Sequence, residues 1–452
     1  MYIKIDNLNT EVKHCLVIGG GFGFLGKNLV EALVENGCEV RILSHVPILF
    51  VHPHVKILYG DIRDKEKLVE ACRGIDTVFH VASLVVTSQI LRKDIQEKLY
   101  NVNVNGTENV IQACQECGVS RLIYTSTNNV VFDGKEINDG NETLPYTNDA
   151  KDMYTLTKQM AENRIISANS PTLSTCALRP GGIYGPGDRF ILRRLVHALK
   201  NGTFICTFGK SDVRGDSVYI DNLVYAHLLA GRQLKQGGPV AGQAYFISDG
   251  HPSNYFSFVK PLVLGLGYSY PKFSLPYPIA YVFAVVSEYI YWLFNTREPL
   301  LTRMELKKVC SSNYFSIDKA KRDFGYEPIV SQEQGIRNSL TYCKDMMDKI
   351  DTVKRPHIGW WLLILGAIAL LTVLAFDEDA YRYFSTHVTS IFSQSFLKVL
   401  FYATIVIHFC EAAYAYYVAR RSRLQDIAVG WSFQTFLLGF PSLRLLLKTL
   451  KK

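Results

Sequence analysis

The sequence has no long block of one charge sign, no low-complexity run and no repeating cysteine spacing, and each absence removes a class of protein. Its 452 residues carry 49 Lys plus Arg against 41 Asp plus Glu. The excess is spread, with 40 basic and 36 acidic side chains in residues 1–356 and 9 and 5 in residues 357–452. Without a basic stripe to neutralise a run of phosphates, nucleic acid is not an expected partner. Gly at 32 and Pro at 16, with 48% apolar residues, exclude a collagen-like chain and a disordered polyelectrolyte. Ten scattered cysteines do not read as a disulfide framework, so the larger, more polar part of the chain is expected to be reduced and cytosolic. Cys114 and Cys117 have the spacing of half a zinc site. A closed site needs four ligands and no matching Cys/His pair accompanies them, so no metal is expected. Met1–Lys13 has no apolar run, and a cleaved signal peptide is not expected.

What is present begins with a repeated unit. His14–Ile18, the glycines of 19–26 and the helical stretch Leu29–Asn36 read as strand, turn and helix. Further strands are expected at Cys38–Leu43, Val55–Tyr59, Thr77–His80, Arg121–Thr125 and Thr175–Arg179, with helices at Lys65–Cys72, Val104–Glu116 and Tyr154–Ala168. Parallel strands need right-handed crossovers, so this order predicts an α/β fold, a Rossmann-type doubly wound parallel sheet. From about 190 to 343 the pattern turns irregular and aromatic, which suits a smaller substrate lobe.

Four apolar segments follow. Ile358–Phe376 is nineteen residues without a charge, enough to cross a core of ~30 Å at ~1.5 Å per residue. Val399–Ala419 is similar but holds His408 and Glu411, and is expected to span. Ile427–Leu447, interrupted by Gln434, Pro441 and Arg444, could span or lie at the interface. Leu275–Phe294 contains Pro276, Pro278 and Glu288, and a charge at the bilayer centre costs roughly 2.5–3.5 kcal/mol. It reads as an interface-dipping or groove-covering segment. The expected domains are 12–345, with a cofactor part of about 12–190, a lobe of about 190–345 and the interfacial segment 275–294, followed by an α-helical transmembrane domain at 357–452.

Two constellations carry chemistry. Gly20, Gly23 and Gly26 lie three apart between the first strand and helix, where glycine permits a tight turn and close approach of a pyrophosphate to a helix N-terminus. After the third strand Asp61 could accept from an adenine amino group, or cap the following helix. Tyr154 and Lys158, four apart, share a helix face. A lysine cation near a phenol of pKa about 10 favours the phenolate, which makes the tyrosine an acid–base group. Thr125-Ser126-Thr127 closes a strand facing the same crevice, so a hydroxyl there can bind the substrate oxygen.

These motifs resemble the extended short-chain dehydrogenase/reductases and, within them, the 3β-hydroxysteroid dehydrogenase family, over residues 12–345. The resemblance also rests on Gly60-Asp61-Ile62, Phe79-His80-Val81-Ala82-Ser83, Asn103-Val104-Asn105-Gly106-Thr107, Arg179-Pro180-Gly181-Gly182-Ile183-Tyr184-Gly185-Pro186-Gly187 and Tyr219-Ile220-Asp221-Asn222-Leu223. The stretches Tyr245–Gly250 and Tyr314–Ala320 look like its sterol-handling branch, including sterol 4α-carboxylate 3-dehydrogenase and subfamily 42E. It implies Tyr154 as acid–base, Lys158 as activator and ribose ligand, and Thr127 as the orienting hydroxyl with Ser126 its near competitor. It implies NAD or NADP held by Gly20, Gly23, Gly26, Ser44, Asp61, Ile62, Ala82, Lys158 and Ile183. Two positions depart: Gly19 stands where Thr is usual, and Ser44, followed by His45, where an acidic residue commonly takes the ribose hydroxyls. Without that carboxylate a 2′-phosphate is not repelled.

The tail, through Trp431–Thr435, Gly439–Arg444 and the His408/Glu411 helix, is similar to transmembrane protein 254. His408, Glu411 and Gln434 are expected to line a polar intramembrane pocket. The sequence thus predicts a multi-pass membrane oxidoreductase, in the endoplasmic reticulum with its catalytic domain facing the cytosol, using a steroid or sterol substrate. It admits a homodimer. A nucleotide-sugar epimerase or dehydratase, and a non-catalytic cofactor-binding scaffold or sensor, are the rival readings.

Overall fold

The computed structural model describes residues 3–6, 8–19, 23–48, 52–86, 88–148, 150, 152–294, 299–350, 353–422, 424 and 427–450. The chain divides into two compact units, Met1–Asp348 and Lys349–Lys452.

In the first unit, seven strands form one parallel sheet: β1 (His14–Ile18), β2 (Glu39–Ser44), β3 (Val55–Tyr59), β4 (Thr77–His80), β5 (Arg121–Thr125), β6 (Ser174–Pro180) and β7 (Gln243–Ile247). Their spatial order is 7-6-5-4-1-2-3. The central strands are buried on both faces, all seven residues of β6 included, which is why they read as continuous apolar runs rather than alternating ones. Helices that cover the sheet or border the crevice include α1 (Phe24–Glu35), α2 (Lys65–Cys72), α3 (Gly106–Cys117), α4 (Met153–Ser167) and α5 (Ile220–Gln233). The strand order reverses between β1 and β4, so a crevice opens beyond their C-terminal ends. Strand β7 lies inside the stretch whose pattern reads as irregular. The chain leaves the sheet after β6 and returns through α5 to pair β7 with β6.

Between those visits the chain forms a parallel pair, Gly182–Tyr184 with Ser217–Tyr219. Beyond β7 come α6 (Tyr277–Phe294) and α7 (Arg303–Cys310). Ala280, Ala284, Ser287, Glu288 and Tyr291 of α6 face inward, whereas Ile279, Val282, Phe283, Val286, Tyr289 and Leu293 form an exposed stripe. The inner side packs Ala280 and Ala284 on Leu306, and Tyr291 on Leu91 and Leu99. Glu288 is fully buried but paired, 2.7 Å from Arg303.

The second unit contains α8 (Ile358–Phe376) and α9 (Gln394–Arg420), both long and apolar enough to cross a membrane. The segment 427–447, read as one element that spans or lies flat, is instead two eleven-residue helices, α10 (Ala428–Leu438) and α11 (Phe440–Leu450). The break is at Gly439, whose φ of +61° suits glycine. Each covers only about 17 Å at ~1.5 Å per residue, short of a bilayer core. A Cβ at Gly439 would lie 2.8 Å from His408 Nε2 and 2.9 Å from Glu411 Oε2, so both side chains close on that break. The ring is fixed there, Nδ1–H donating to the Phe436 carbonyl at 2.8 Å. Gln434 does not join them as the sequence suggested. Its amide donates to Ser442 Oγ and to the Lys354 carbonyl, each at 3.0 Å.

Candidate active site

Strand β5 delivers Thr125, Ser126 and Thr127 to the crevice, all nearly buried. Thr127, two residues past the end of β5 and still in extended backbone, accepts from Asn129 N–H at 3.2 Å, capping the short turn Asn128–Val131. Helix α4 begins opposite. Its N-cap is Asp152, whose carboxylate accepts from Thr155 N–H at 2.8 Å, as a carboxylate at a helix start should. This places Tyr154 on the first turn, with its phenol near enough to the Thr127 hydroxyl to interact with it. Ser126 Oγ is buried and without a hydrogen-bond partner among the described residues.

Lys158, one turn after Tyr154, is 1% exposed. Its ammonium donates to the Thr125 carbonyl at 2.6 Å and lies 4.1 Å from the centre of the Tyr124 ring. Burial lowers its pKa to about 7, and the Glu162 carboxylate one turn further along pulls back upward. Burial raises the Tyr154 phenol well above its ordinary value, Asp152 adds to the rise and the Thr127 hydroxyl opposes it. The sequence reading has Lys158 drawing the phenol down. Here the ammonium is engaged by Thr125 and Tyr124, and the phenol stays high. Arg179 neutralises Glu162 at 2.6 Å in a fully enclosed pair.

At the cofactor end, Gly20 lies outside the described residues. Gly23 caps α1 with no side-chain hydrogen bond, leaving the first N–H groups of that helix for an anion. Gly19 has φ +87°, and a Cβ on it would come within 2.9 Å of the Ala82 backbone. Only bare backbone fits there, which suits close approach of a dinucleotide. Gly26 is buried in α1, Ile62 packs against Gly106, and Ile183 lies in the strand Gly182–Tyr184. Asp61 does not cap α2; that role belongs to Asp64, which accepts from Lys67 N–H. Asp61 instead holds Arg63 through both carboxylate oxygens, at 2.9 and 2.7 Å, and that guanidinium lowers its pKa. Ser44 is buried, and its hydroxyl donates to the Val46 carbonyl at 2.9 Å.

Three groups near the site escaped residue-level reading. Asn103 lies in a five-residue π-helical segment, Asn101–Asn105, a distortion common at functional sites. Its amide donates to Thr157 of α4 and to the Leu84 carbonyl. His80, at the end of β4, bonds Thr107 at 2.9 Å and is held near pKa 3 by burial and by the Lys158 charge. Both lie in stretches that were informative only as parts of the resemblance. Lys308, on α7, reaches Asn128 Oδ1 at 3.4 Å from 180 positions away, and no local pattern announces it.

Among the solved structures that share this fold are a UDP-glucose 4-epimerase of Thermotoga maritima with UDP-glucose (21% identity, TM-score 0.59, 74% of this chain and 99% of that one). A UDP-glucuronic acid 4-epimerase of Bacillus cereus, with UDP-glucuronic acid and NAD, is similar to the same extent (20%, 0.59, 74% and 99%). The sequence is closer to other proteins. It is 44% identical over 338 residues to short-chain dehydrogenase/reductase family 42E member 1 of Danio rerio, covering 71% of this chain and 86% of the relative. It is 37% identical over 345 residues to a 3-beta-hydroxysteroid dehydrogenase of Mycolicibacterium neoaurum, covering 75% and 94%. Residues 359–448 match the family model of transmembrane protein 254. Residues 16–277, which hold the glycine turn, Thr127, Tyr154 and Lys158, match that of the 3-beta hydroxysteroid dehydrogenase/isomerase family, and to that family the chain belongs.

Proposed function

We propose that the protein is a membrane-bound, NAD(P)-dependent oxidoreductase of the 3β-hydroxyl or 3-keto group of a steroid or sterol. The observation that carries this is the convergence of α4 on the end of β5: Lys158 donates to the Thr125 carbonyl at 2.6 Å, and Tyr154, one turn earlier on the same helix face, faces Thr127. In the oxidation, Thr127 orients the substrate hydroxyl and the Tyr154 phenolate takes its proton. Lys158 favours that phenolate when its ammonium faces the phenol. The bound dinucleotide supplies the hydride acceptor, or the donor in reduction. Gly23 and Gly26 with the open start of α1 would hold its pyrophosphate, and Asp61, Ile62, Ala82 and Ile183 would flank the rest.

An apolar substrate suits the surroundings. Met153, next to Tyr154, packs with Leu84, Val86 and Ile95 on the cluster of Leu91, Leu99 and Tyr291. Tyr291 belongs to α6, whose other side is the exposed apolar stripe. A stripe of that kind, on a chain that also carries two bilayer-length helices, fits the headgroup boundary of a membrane. Sterols partition there, and the endoplasmic reticulum is the membrane we assign. A nucleotide sugar, by contrast, needs charged partners for its diphosphate.

The test is detergent-purified protein incubated with lipid extracts and each cofactor, the products identified by mass. We expect a 3β-hydroxysteroid or sterol to be converted. Tyr154→Phe should lower turnover by about 10²–10⁴-fold while dinucleotide binding persists. Near-normal turnover by that variant, or conversion of UDP-sugars instead of sterols, overturns the reading.

A further inference from the structure

We propose that His408 and Glu411, closing over the break at Gly439, form a site in the helical tail for a primary ammonium group, of the kind carried by an aminophospholipid headgroup or a sphingoid base. The inference concerns the tail alone and stands apart from the oxidoreductase reading above.

The two side chains are three residues apart on α9 and so share a helix face. Helix α10 packs antiparallel along that face. Ser432 Oγ donates to the Ala412 carbonyl at 3.0 Å and, one turn on, His408 Nδ1 meets the Phe436 carbonyl at 2.8 Å. Phe436 lies in the last turn of α10, where carbonyls lack helical partners, so the imidazole serves as a C-terminal cap. A carbonyl only accepts, so Nδ1 carries the hydrogen, and in the neutral ring Nε2 is left with a lone pair. Past Leu438 the chain turns at Gly439, where a Cβ would stand 2.8 Å from that Nε2 and 2.9 Å from Glu411 Oε2. Glycine leaves room for both. Because the two atoms lie so near one point, a single nitrogen at about 2.9 Å can bond them together.

The chemistry of this notch is that of two acceptors without a donor. Neither Nε2 nor the carboxylate has a hydrogen-bond or ion-pair partner among the described residues. The cations of the neighbouring elements are engaged or turned elsewhere. Arg420 and Arg421 bond Tyr416 and Tyr417, and Lys354 meets α10 through its carbonyl. Arg444 and Lys448 are exposed on the side of α11 opposite its buried Ser442, Leu443 and Leu446. Depth then decides what can supply the donor. Gln434 donates to the carbonyl of Lys354, four residues ahead of α8, so the middle of α10 is level with the start of that apolar span. Gly439 lies five residues further on, about 7 Å at ~1.5 Å per residue, which puts the notch just inside the boundary between headgroups and acyl chains. A carboxylate without a partner is costly there. A lipid hydroxyl brings one hydrogen and no charge, which leaves one acceptor and the charge unanswered. A primary ammonium brings three hydrogens and a positive charge, and answers both. Phe436 and Phe440, exposed on either side of the break, offer apolar surface to the chains of such a lipid.

The test uses the full chain in phosphatidylcholine nanodiscs, each doped with one photoactivatable lipid at equal mole fraction, with crosslinks mapped by mass spectrometry. Phosphatidylethanolamine or sphingosine should label the segments around 408–411 and 439 about tenfold more than photoactivatable phosphatidylcholine, whose quaternary nitrogen has no hydrogen to give. The stronger of the two identifies the source of the ammonium. Glu411→Gln, which keeps the shape and removes the charge, should bring both down to the phosphatidylcholine level. Equal labelling by the amine lipids and phosphatidylcholine in the unaltered chain overturns the site, and needs no variant to fold. A preference that survives Glu411→Gln overturns it as well. Stronger labelling by a photoactivatable sterol than by either amine lipid overturns the ammonium in favour of a hydroxyl.

Discussion

Ser44 closes β2 with its hydroxyl turned back onto Val46, accepting from that residue's N–H at 3.2 Å as well as donating to its carbonyl. No carboxylate stands at this strand end to accept from an adenosine ribose, and none would repel a 2′-phosphate. The charges nearby are mixed, since Arg63 and His45 both act on Asp61. We therefore expect NADP to be used at least as well as NAD. Ser44→Asp should shift the kcat/KM ratio towards NAD by roughly tenfold, ~1.4 kcal/mol of added repulsion. Strong NAD selectivity in the unaltered chain would show that another residue discriminates. At this scale the sequence is legible wherever short spacing decides which residues share a face. Tyr154 and Lys158 are one helical turn apart, and Thr127 follows the strand that faces them by two residues. It is ambiguous where two like residues compete, as Asp61 and Asp64 do for the start of α2. It is silent on Lys308, because only tertiary packing brings α7 to Asn128.

Helix α6 shows what changes at the scale of elements. Its sequence reads as one membrane thickness of apolar residues with a misplaced glutamate. In the fold that glutamate faces inward, fully buried and paired with Arg303, and the outward stripe carries no charge. Because both faces of the helix are largely apolar, hydrophobicity could not tell the packed side from the bare one. Glu288→Ala should leave Arg303 unpaired and also strip the Arg303 N–H of its acceptor at 2.9 Å. We expect a loss of ~2–4 kcal/mol in unfolding free energy, below the usual cost of splitting a wholly enclosed pair because Arg303 keeps 18% of its surface exposed. A urea midpoint that does not move would show the pair to be idle. The strands were legible for the opposite reason, since β1 to β6 are short apolar runs bounded by turns. Strand β7 was missed because Gln243-Ala244-Tyr245-Phe246-Ile247 follows an excursion into a second lobe, and nothing local marks the return to the sheet. The break between α10 and α11 was half visible: Pro441 signalled an interruption, but the backbone turn falls at Gly439.

For the whole molecule, the charges flanking the two long apolar helices set the expected topology. The two bilayer-length helices, α8 and α9, have charged ends that alternate. Lys354 and Arg355 precede α8, Asp377, Glu378 and Asp379 follow it, and Arg420 and Arg421 end α9. Arg423, which adds to the last group, lies outside the described residues. Basic flanks remain on the cytosolic side, so we expect the catalytic unit and the segment 420–426 to be cytosolic and 377–393 luminal. Helices α10 and α11 are each too short to reverse that arrangement by crossing alone. An N-glycosylation acceptor introduced between Thr389 and Ser393, outside the helix Glu378–His387, should be modified in cells, and one introduced at 420–426 should not. The two sites control for each other, because a failure at both reports poor access rather than topology. Modification at 420–426 with none between 389 and 393 would invert the protein. It would put Tyr154 and the glycine turn in the lumen, away from the cytosolic pool of dinucleotide that the proposed chemistry draws on.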